Sequence, residues 1–245
     1  MISKSEIVKQ ASGYLEILQK TVSNTIAPAP RRQSLDLKMQ TREETFRLVR
    51  QLFLPGGVMP QVVIFAAVEH GGGSTSVCAR TADALSAHVD GLVLVVDADL
   101  RSPALHRYFG MESSSSATRE ELICVPVRQK DREFGGSNLW LLPGARGDAN
   151  SYSPQYFDRL RSRVSELRKD FTCILIDAPP INAYADAALL GEVADGLVMV
   201  LEANYTRREA ALRAKETLST AGVRVLGAVL NKRTFPIPER LYWKL

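Results

Sequence analysis

Apolar runs of strand length recur along the chain. Val62 to Val68, Leu92 to Val96, Leu139 to Leu142, Cys173 to Ile176, Leu197 to Leu201 and Val223 to Leu230 each read as a buried strand. The segments between them carry helical spacing instead. Phe157, Leu160, Val164 and Leu167 fall on one face of a helix over residues 154–169, and further helices are predicted over about 74–88, 183–193 and 207–221, with a short one at 104–109. Strand and helix alternate throughout. That order predicts a three-layer α/β sandwich, a mostly parallel sheet covered on both faces.

The first 60 residues read differently. Ser3 and Glu6 form a capping box, and Ile7, Val8, Ala11, Leu15, Leu18 and Val22 make an apolar stripe, so a helix is expected over residues 3–24. The stripe suits docking on its own domain or on a partner. Residues 27–40, with Pro28, Pro30, Arg31 and Arg32, read as an extended linker. This divides the chain into a helix and linker over 1–40 and a main domain over 41–245. A second helix is expected from Thr41 to Leu54. Glu44, Arg47 and Arg50 share one side of it, as an intrahelical salt-bridged surface or as an edge presented to another subunit. Residues 111–138 are polar and serine-rich and read as a loop around a short helix.

Charge narrows the partners. The 245-residue chain carries a formal net charge of +4, and residues 1–50 account for all of it, with nine Lys and Arg against five Asp and Glu. The remainder is balanced, so the main domain lacks the basic excess of a nucleic-acid binder. The N-terminal arm suits a solvated helix surface, an acidic partner or anionic lipid. The apolar runs are far shorter than the roughly 20 residues of a membrane span, and the first residues lack the apolar core of a signal peptide. Cys78, Cys124 and Cys173 show no metal or disulfide spacing. A cytoplasmic location is expected.

The chemistry concentrates between Gln61 and Pro103. A strand leads into Gly71-Gly72-Gly73, hydroxyls follow at Ser74, Thr75 and Ser76, a helix begins, and the next strand ends in Asp97-Ala98-Asp99. Glycines let backbone N–H groups close round a phosphate, and the helix N-terminus adds its positive dipole end. A Walker A loop ends in Gly-Lys-Ser/Thr, its lysine reaching the outer phosphates. Here Ser74 occupies the lysine position, and no lysine occurs between Lys38 and Lys130. A third carboxylate, Asp177, ends the apolar run Cys173 to Ile176 and is followed by Ala178-Pro179-Pro180. Carboxylates at the C-terminal ends of parallel strands lie where α/β sheets bind ligands; the plain alternative is that Asp97, Asp99 and Asp177 cap neighbouring helices.

These motifs together resemble the bacterial tyrosine kinases of capsular and exopolysaccharide systems, P-loop proteins related to the septum-site and plasmid-partition ATPases. The resemblance rests on Leu94 to Arg101 with Ser102, Pro103, His106 and Phe109, on Ile174 to Pro180, on Glu44, Arg47 and Arg50, and on Leu226 to Asn231. It covers about residues 41–235. It implies a P-loop NTPase fold, ATP and Mg²⁺ as cofactors, or none if the site is vestigial, and assembly into homo-oligomers through Glu44, Arg47 and Arg50. By the same resemblance Gly71 to Ser76, Arg101 and Asn231 hold the nucleotide, with Asn231 near the adenine. Thr75 ligates the metal, and Asp99 and Asp177 orient it or its waters. Asp97 serves as base toward a tyrosine hydroxyl or lies near the metal. The family's activator is a membrane polysaccharide co-polymerase, here expected to be a separate protein, which would place the chain at the inner face of the membrane.

Three departures matter. Ser74 removes the loop cation, worth about 3–4 kcal/mol of transition-state stabilisation and roughly 10²–10³-fold in turnover. Arg80 or Arg101 is the candidate replacement. The last residues hold one tyrosine, Tyr242 beside Trp243, where autophosphorylating relatives carry a cluster; packing is the plainer role for it. Gly72 stands where many relatives carry a side chain, which predicts a more flexible loop. The expectation is a degenerate kinase homologue acting as regulator or scaffold, with nucleotide binding weak or lost. The alternative is an active autokinase or ATPase switch in which an arginine replaces the lysine.

Overall fold

The computed structural model describes residues 31–54, 58–111, 122–128, 134–136, 138–144 and 154–233. The expected helix over 3–24 and the segment around Tyr242 lie outside them. The residues from Glu44 onward form one compact unit, distinct from the unit before it.

Strand β1 (Val62–Ala67) leads through the glycine turn into helix α2 (Ser74–Ser86), and β2 (Val93–Asp97) follows, then the single turn α3 (Leu105–Tyr108). After β3 (Val125–Pro126) and β4 (Leu139–Leu142) come α4 (Pro154–Leu167), β5 (Cys173–Ala178) and α5 (Asp186–Leu190) with a 3₁₀ turn at Gly191–Val193. Strand β6 (Gly196–Glu202), helix α6 (Arg208–Thr220) and β7 (Val225–Asn231) complete the order, and α1 (Arg31–Phe53) precedes it. The seven strands lie in the order β3-β4-β2-β5-β1-β6-β7, all neighbours parallel except the antiparallel β3 and β4. The expected α/β sheet is present.

Period-two alternation sorts the strand residues between two cores. Val62, Ile64 and Ala66 of β1, with Ile174 and Ile176 of β5, pack under Phe157, Leu160 and Val164 of α4 and under α6. Val63, Phe65 and Ala67, with Leu175, pack under α2 and under Val49 and Phe53 of α1. Because both faces are covered, β1, β2 and β5 are buried at every position, which is why they read as unbroken apolar runs.

Three readings change. Residues 31–40 are helical and continue α1, so they are not an extended linker. That stretch holds neither proline nor glycine. The helix expected over 183–193 shrinks to Asp186–Leu190 and a 3₁₀ turn. Strand β3 was not foreseen; two residues, one of them Pro126, carry no strand signal.

The sheet's far end is tied by Asp195. Its Oδ2 accepts from the Gln61 and Val62 amides at 2.7 and 2.8 Å, and Oδ1 accepts from Arg168 at 3.0 Å. Partial burial alone would raise this carboxyl's pKa; the amides and Arg168 outweigh it and hold it below the ordinary aspartate range. Such a group contributes stability above its unfolded-state pKa and loses it as pH falls through the folded value. Asp195→Asn is therefore expected to cost about 1 kcal/mol at pH 7, solvent screening included. In urea unfolding at pH 7 and pH 3 the gap from the parent protein should close in acid; an equal gap at both would show that the charge is not what holds the strand.

Candidate functional site

The parallel pairing of β1, β5 and β2 brings their C-terminal ends to one edge. Asp97 and Asp177 are Cα partners across β2 and β5. The glycine turn leaves β1 beside them, so sequence elements more than 100 residues apart share one small volume.

The turn is shaped by two left-handed residues, Gly71 at φ 83° and Gly73 at φ 81°, the latter serving as N-cap of α2 without any side-chain cap. The orphan N–H groups of the first helical turn therefore face the loop. Gly72 does not loosen the turn. It is buried, and a β-carbon there would lie 2.9 Å from Ala67 Cβ. Its amide donates to the Glu69 carbonyl at 3.4 Å, and its own carbonyl accepts from Asn231 Nδ2 at 2.9 Å. The flexibility expected of Gly72 is thus offset by packing and two hydrogen bonds. Asn231, expected near an adenine, contacts the phosphate loop itself.

Asp97 combines two roles. Its Oδ2 accepts from the Ala104 and Leu105 amides at 2.9 and 3.0 Å, so it caps α3, while the buried Oδ1 has no partner. Burial is the main reason its carboxyl is pushed up to about 7; the two amides oppose this and Asp99 adds to it. Both oxygens of the fully buried Asp177 lack partners. Burial raises its carboxyl well above the ordinary range. The Thr75 hydroxyl pulls the other way, Asp97 and Asp99 reinforce the rise, and Ser74 opposes it. Both hydroxyls lie close enough to the Asp177 carboxylate to oppose its protonation. Cys78, on the buried face of α2, has its thiol raised by burial and then by these two carboxylates.

Three buried carboxylate oxygens without hydrogen-bond partners at a phosphate loop are groups that a bound cation would satisfy. They come from two residues. Asp99 Oδ1 instead accepts from the Arg101 and Ser102 amides at 3.1 Å each, closing a tight turn. Among the described residues no group of three His, Cys, Asp or Glu is placed to hold a metal. A divalent ion here would depend on Thr75, water and phosphate oxygens as well, the sparse protein ligation usual for Mg²⁺.

Arg101 is engaged by other side chains. It pairs with Asp186 and stacks over Tyr184, 3.9 Å from the ring centre, and Tyr184 meets His70 of the glycine turn edge-on at 5.6 Å. Arg80 lies seven residues after Gly73, about 10 Å along the helix axis from it. Glu44, Arg47 and Arg50 are all exposed on α1, and Arg47 pairs with Glu44 at 3.2 Å.

A residue that sequence reasoning passed over is Gly144, just after β4. A β-carbon there would lie 2.9 Å from the Asp97 carbonyl oxygen and 3.1 Å from Asp97 Cγ. The dipeptide Pro143-Gly144 signals a turn, but not that the turn presses on the carboxylate.

No family model matches the chain. Tyrosine-protein kinase YwqD of Bacillus subtilis is 33% identical over 139 residues, 57% of this chain and 59% of that protein. Tyrosine-protein kinase CpsD of Streptococcus agalactiae is 27% identical over 203 residues, 78% of this chain and 83% of that one. The matches span only 59% and 61% of the length of YwqD and of the tyrosine-protein kinase CapB of Staphylococcus aureus, which is described as putative. The homologues are thus named bacterial tyrosine-protein kinases. Among solved structures, the kinase domain of VpsO superposes with a TM-score of 0.67 at 22% identity, covering 84% of this chain and all of that one. The septum site-determining protein MinD of Pyrococcus horikoshii, complexed with Mg-ADP, superposes at 0.55 and 19% identity, covering 75% and 76%. These neighbours establish the fold, an α/β sandwich shared with the VpsO kinase domain and with MinD.

Gly144→Ala is expected to displace Asp97 and cost about 1–3 kcal/mol. Gly227→Ala, on β7 where nothing lies within 4 Å, should change stability little. Urea unfolding of the two variants checks the contrast; equal losses would mean the gap at Gly144 closes without strain.

Proposed function

We propose that the chain is a tyrosine-kinase-like P-loop protein that regulates or scaffolds the synthesis and export of a capsule or exopolysaccharide, binding nucleotide weakly and transferring phosphoryl groups poorly. One observation carries this reading. The loop that would cradle a polyphosphate has Ser74 where its cation belongs, beside two buried carboxylates, with Asp97 Oδ1 and both Asp177 oxygens lacking partners. Phosphoryl transfer depends on positioning and on positive charge around the phosphates, so the missing lysine impairs chemistry more than shape. A bound nucleotide with Mg²⁺ would supply the phosphate and the divalent charge. The chain's own part is then plain. Gly71 to Gly73 and the first turn of α2 present N–H groups, Thr75 offers a hydroxyl, and Asp97 and Asp177 offer oxygens to the ion or its waters.

A second reading, a working kinase or ATPase switch, is favoured by the intact set of Thr75, Asp97 and Asp177. Under either reading the chain is proposed to act at the inner face of the membrane through a separate membrane co-polymerase. No helix among the described residues is long and apolar enough to cross a membrane. It is proposed also to self-associate through Glu44, Arg47 and Arg50, whose exposure on one helix suits such a contact.

Calorimetric titration with Mg·ADP and Mg·ATP, paired with a phosphotyrosine assay, tests the reading. Binding in the high-micromolar to millimolar range without tyrosine phosphorylation is expected; robust phosphorylation by the unaltered chain would favour the second reading. Holding a cation requires Asp97 to give up its proton. Affinity for Mg·ADP should therefore rise several-fold from pH 6 to pH 8, through the value of about 7, and a flat profile would remove Asp97 from the cation site. Reversing the charge of Arg47 and Arg50 to Glu should lower the mass seen by light scattering. An unchanged mass would exclude that surface.

A further inference from the structure

The sheet brings a lysine to the loop from the opposite end of the sequence. Lys232 follows the last residue of β7 and adopts a left-handed backbone, φ 55°. Its side chain crosses toward the glycine turn, so that a β-carbon on Gly73 would lie 3.9 Å from Lys232 Cε. The ammonium donates to Glu202 Oε1 at 3.1 Å, and Glu202 Oε2 would lie 3.8 Å from a β-carbon on Gly71. The pair therefore sits at the mouth of the loop. Its anchors are firm. Asn231, next to Lys232, holds the Gly72 carbonyl, and the Ala203 amide donates to the Asn231 carbonyl at 2.9 Å. On the β6 side the Glu202 amide donates to Thr206 Oγ1 at 2.9 Å.

We infer that Lys232 supplies, from the end of β7, the phosphate-binding cation that the loop itself lost at Ser74, with Glu202 holding the ammonium until a nucleoside polyphosphate takes its place. The inference rests on the reading of the loop as a nucleotide site. Arg101 is committed to Asp186 and Tyr184, and Arg80 stands further along α2. Lys232 alone among the three is brought against the loop backbone by the structure. Its side chain is half exposed, so a four-carbon stem can swing from Glu202 to a phosphate without disturbing the core. The contact comes from a strand end and not from the loop, so it serves binding in the ground state; Lys232 is a binding residue, not a catalytic one.

The test is titration of the full chain and its variants with Mg·ADP, AMP and adenosine, with folding checked by thermal melting. Lys232→Met should weaken Mg·ADP at least tenfold and leave adenosine unchanged, and Lys232→Arg should recover most of the loss. Glu202→Gln should tighten Mg·ADP several-fold, and that gain should shrink in the double variant Glu202→Gln, Lys232→Met, because the two residues act through each other. In a Ser74→Lys background, Lys232→Met should matter little. Equal losses for adenosine and Mg·ADP would place Lys232 against the base and overturn the inference. So would a Glu202→Gln gain that is unaffected by Lys232. If Ser74→Lys binds Mg·ADP and the unaltered chain does not, the inference falls while the nucleotide site stands. If neither binds, both fall.

Discussion

Parallel pairing of β1 with β5 on one side and β6 on the other is the constraint on which the rest depends. A parallel strand cannot return through a hairpin; it must exit, cross over a face of the sheet and re-enter at the same end. Every exit therefore lies at one edge. The glycine turn, the tips of β2 and β5, and the last residues of β6 and β7 meet there because the hydrogen-bond ladder allows no other place for them. The two cores hold that edge rigid from both sides, and Asp195 ties down the other.

The price of this convergence is electrostatic. Two carboxylates buried on adjacent strand tips repel one another and are costly to ionise, so burial moves both toward the protonated form. A loop lysine would ordinarily relieve that field. Here two positive charges adjoin the glycine turn through other side chains: Arg101 through Tyr184 and His70, and Lys232 beside Glu202. The site keeps its shape because shape is set by glycine geometry and packing, neither of which needs the lysine.

Much of this was legible in the residues. Strands buried on both faces announce themselves as apolar runs, and the glycine turn followed by hydroxyls and strand-end aspartates marks the site's edge. What the sequence could not reveal was which polar groups spend themselves on structure. Asp97 was read as functional or as a helix cap; one of its oxygens caps α3 and the other has no partner. Arg101 finds Asp186 across 85 positions, a pairing no local spacing encodes. The helical character of residues 31–40 was obscured by the two prolines that precede them in the sequence. Gly72 looked like slack because a missing side chain is visible in sequence, whereas the Ala67 methyl that fills its space is not.

The hydrogen bond from Asn231 to the Gly72 carbonyl has a bearing on how the protein is made. It joins residues 159 positions apart, and β7 reaches the loop only by pairing with β6. During synthesis from the N-terminus, β1, α2 and β2 emerge long before their closing strand. Domains dominated by such distant contacts order late and slowly. The glycine turn is local and needs no distant partner for its backbone, yet it lacks the Asn231 brace until β7 has paired with β6.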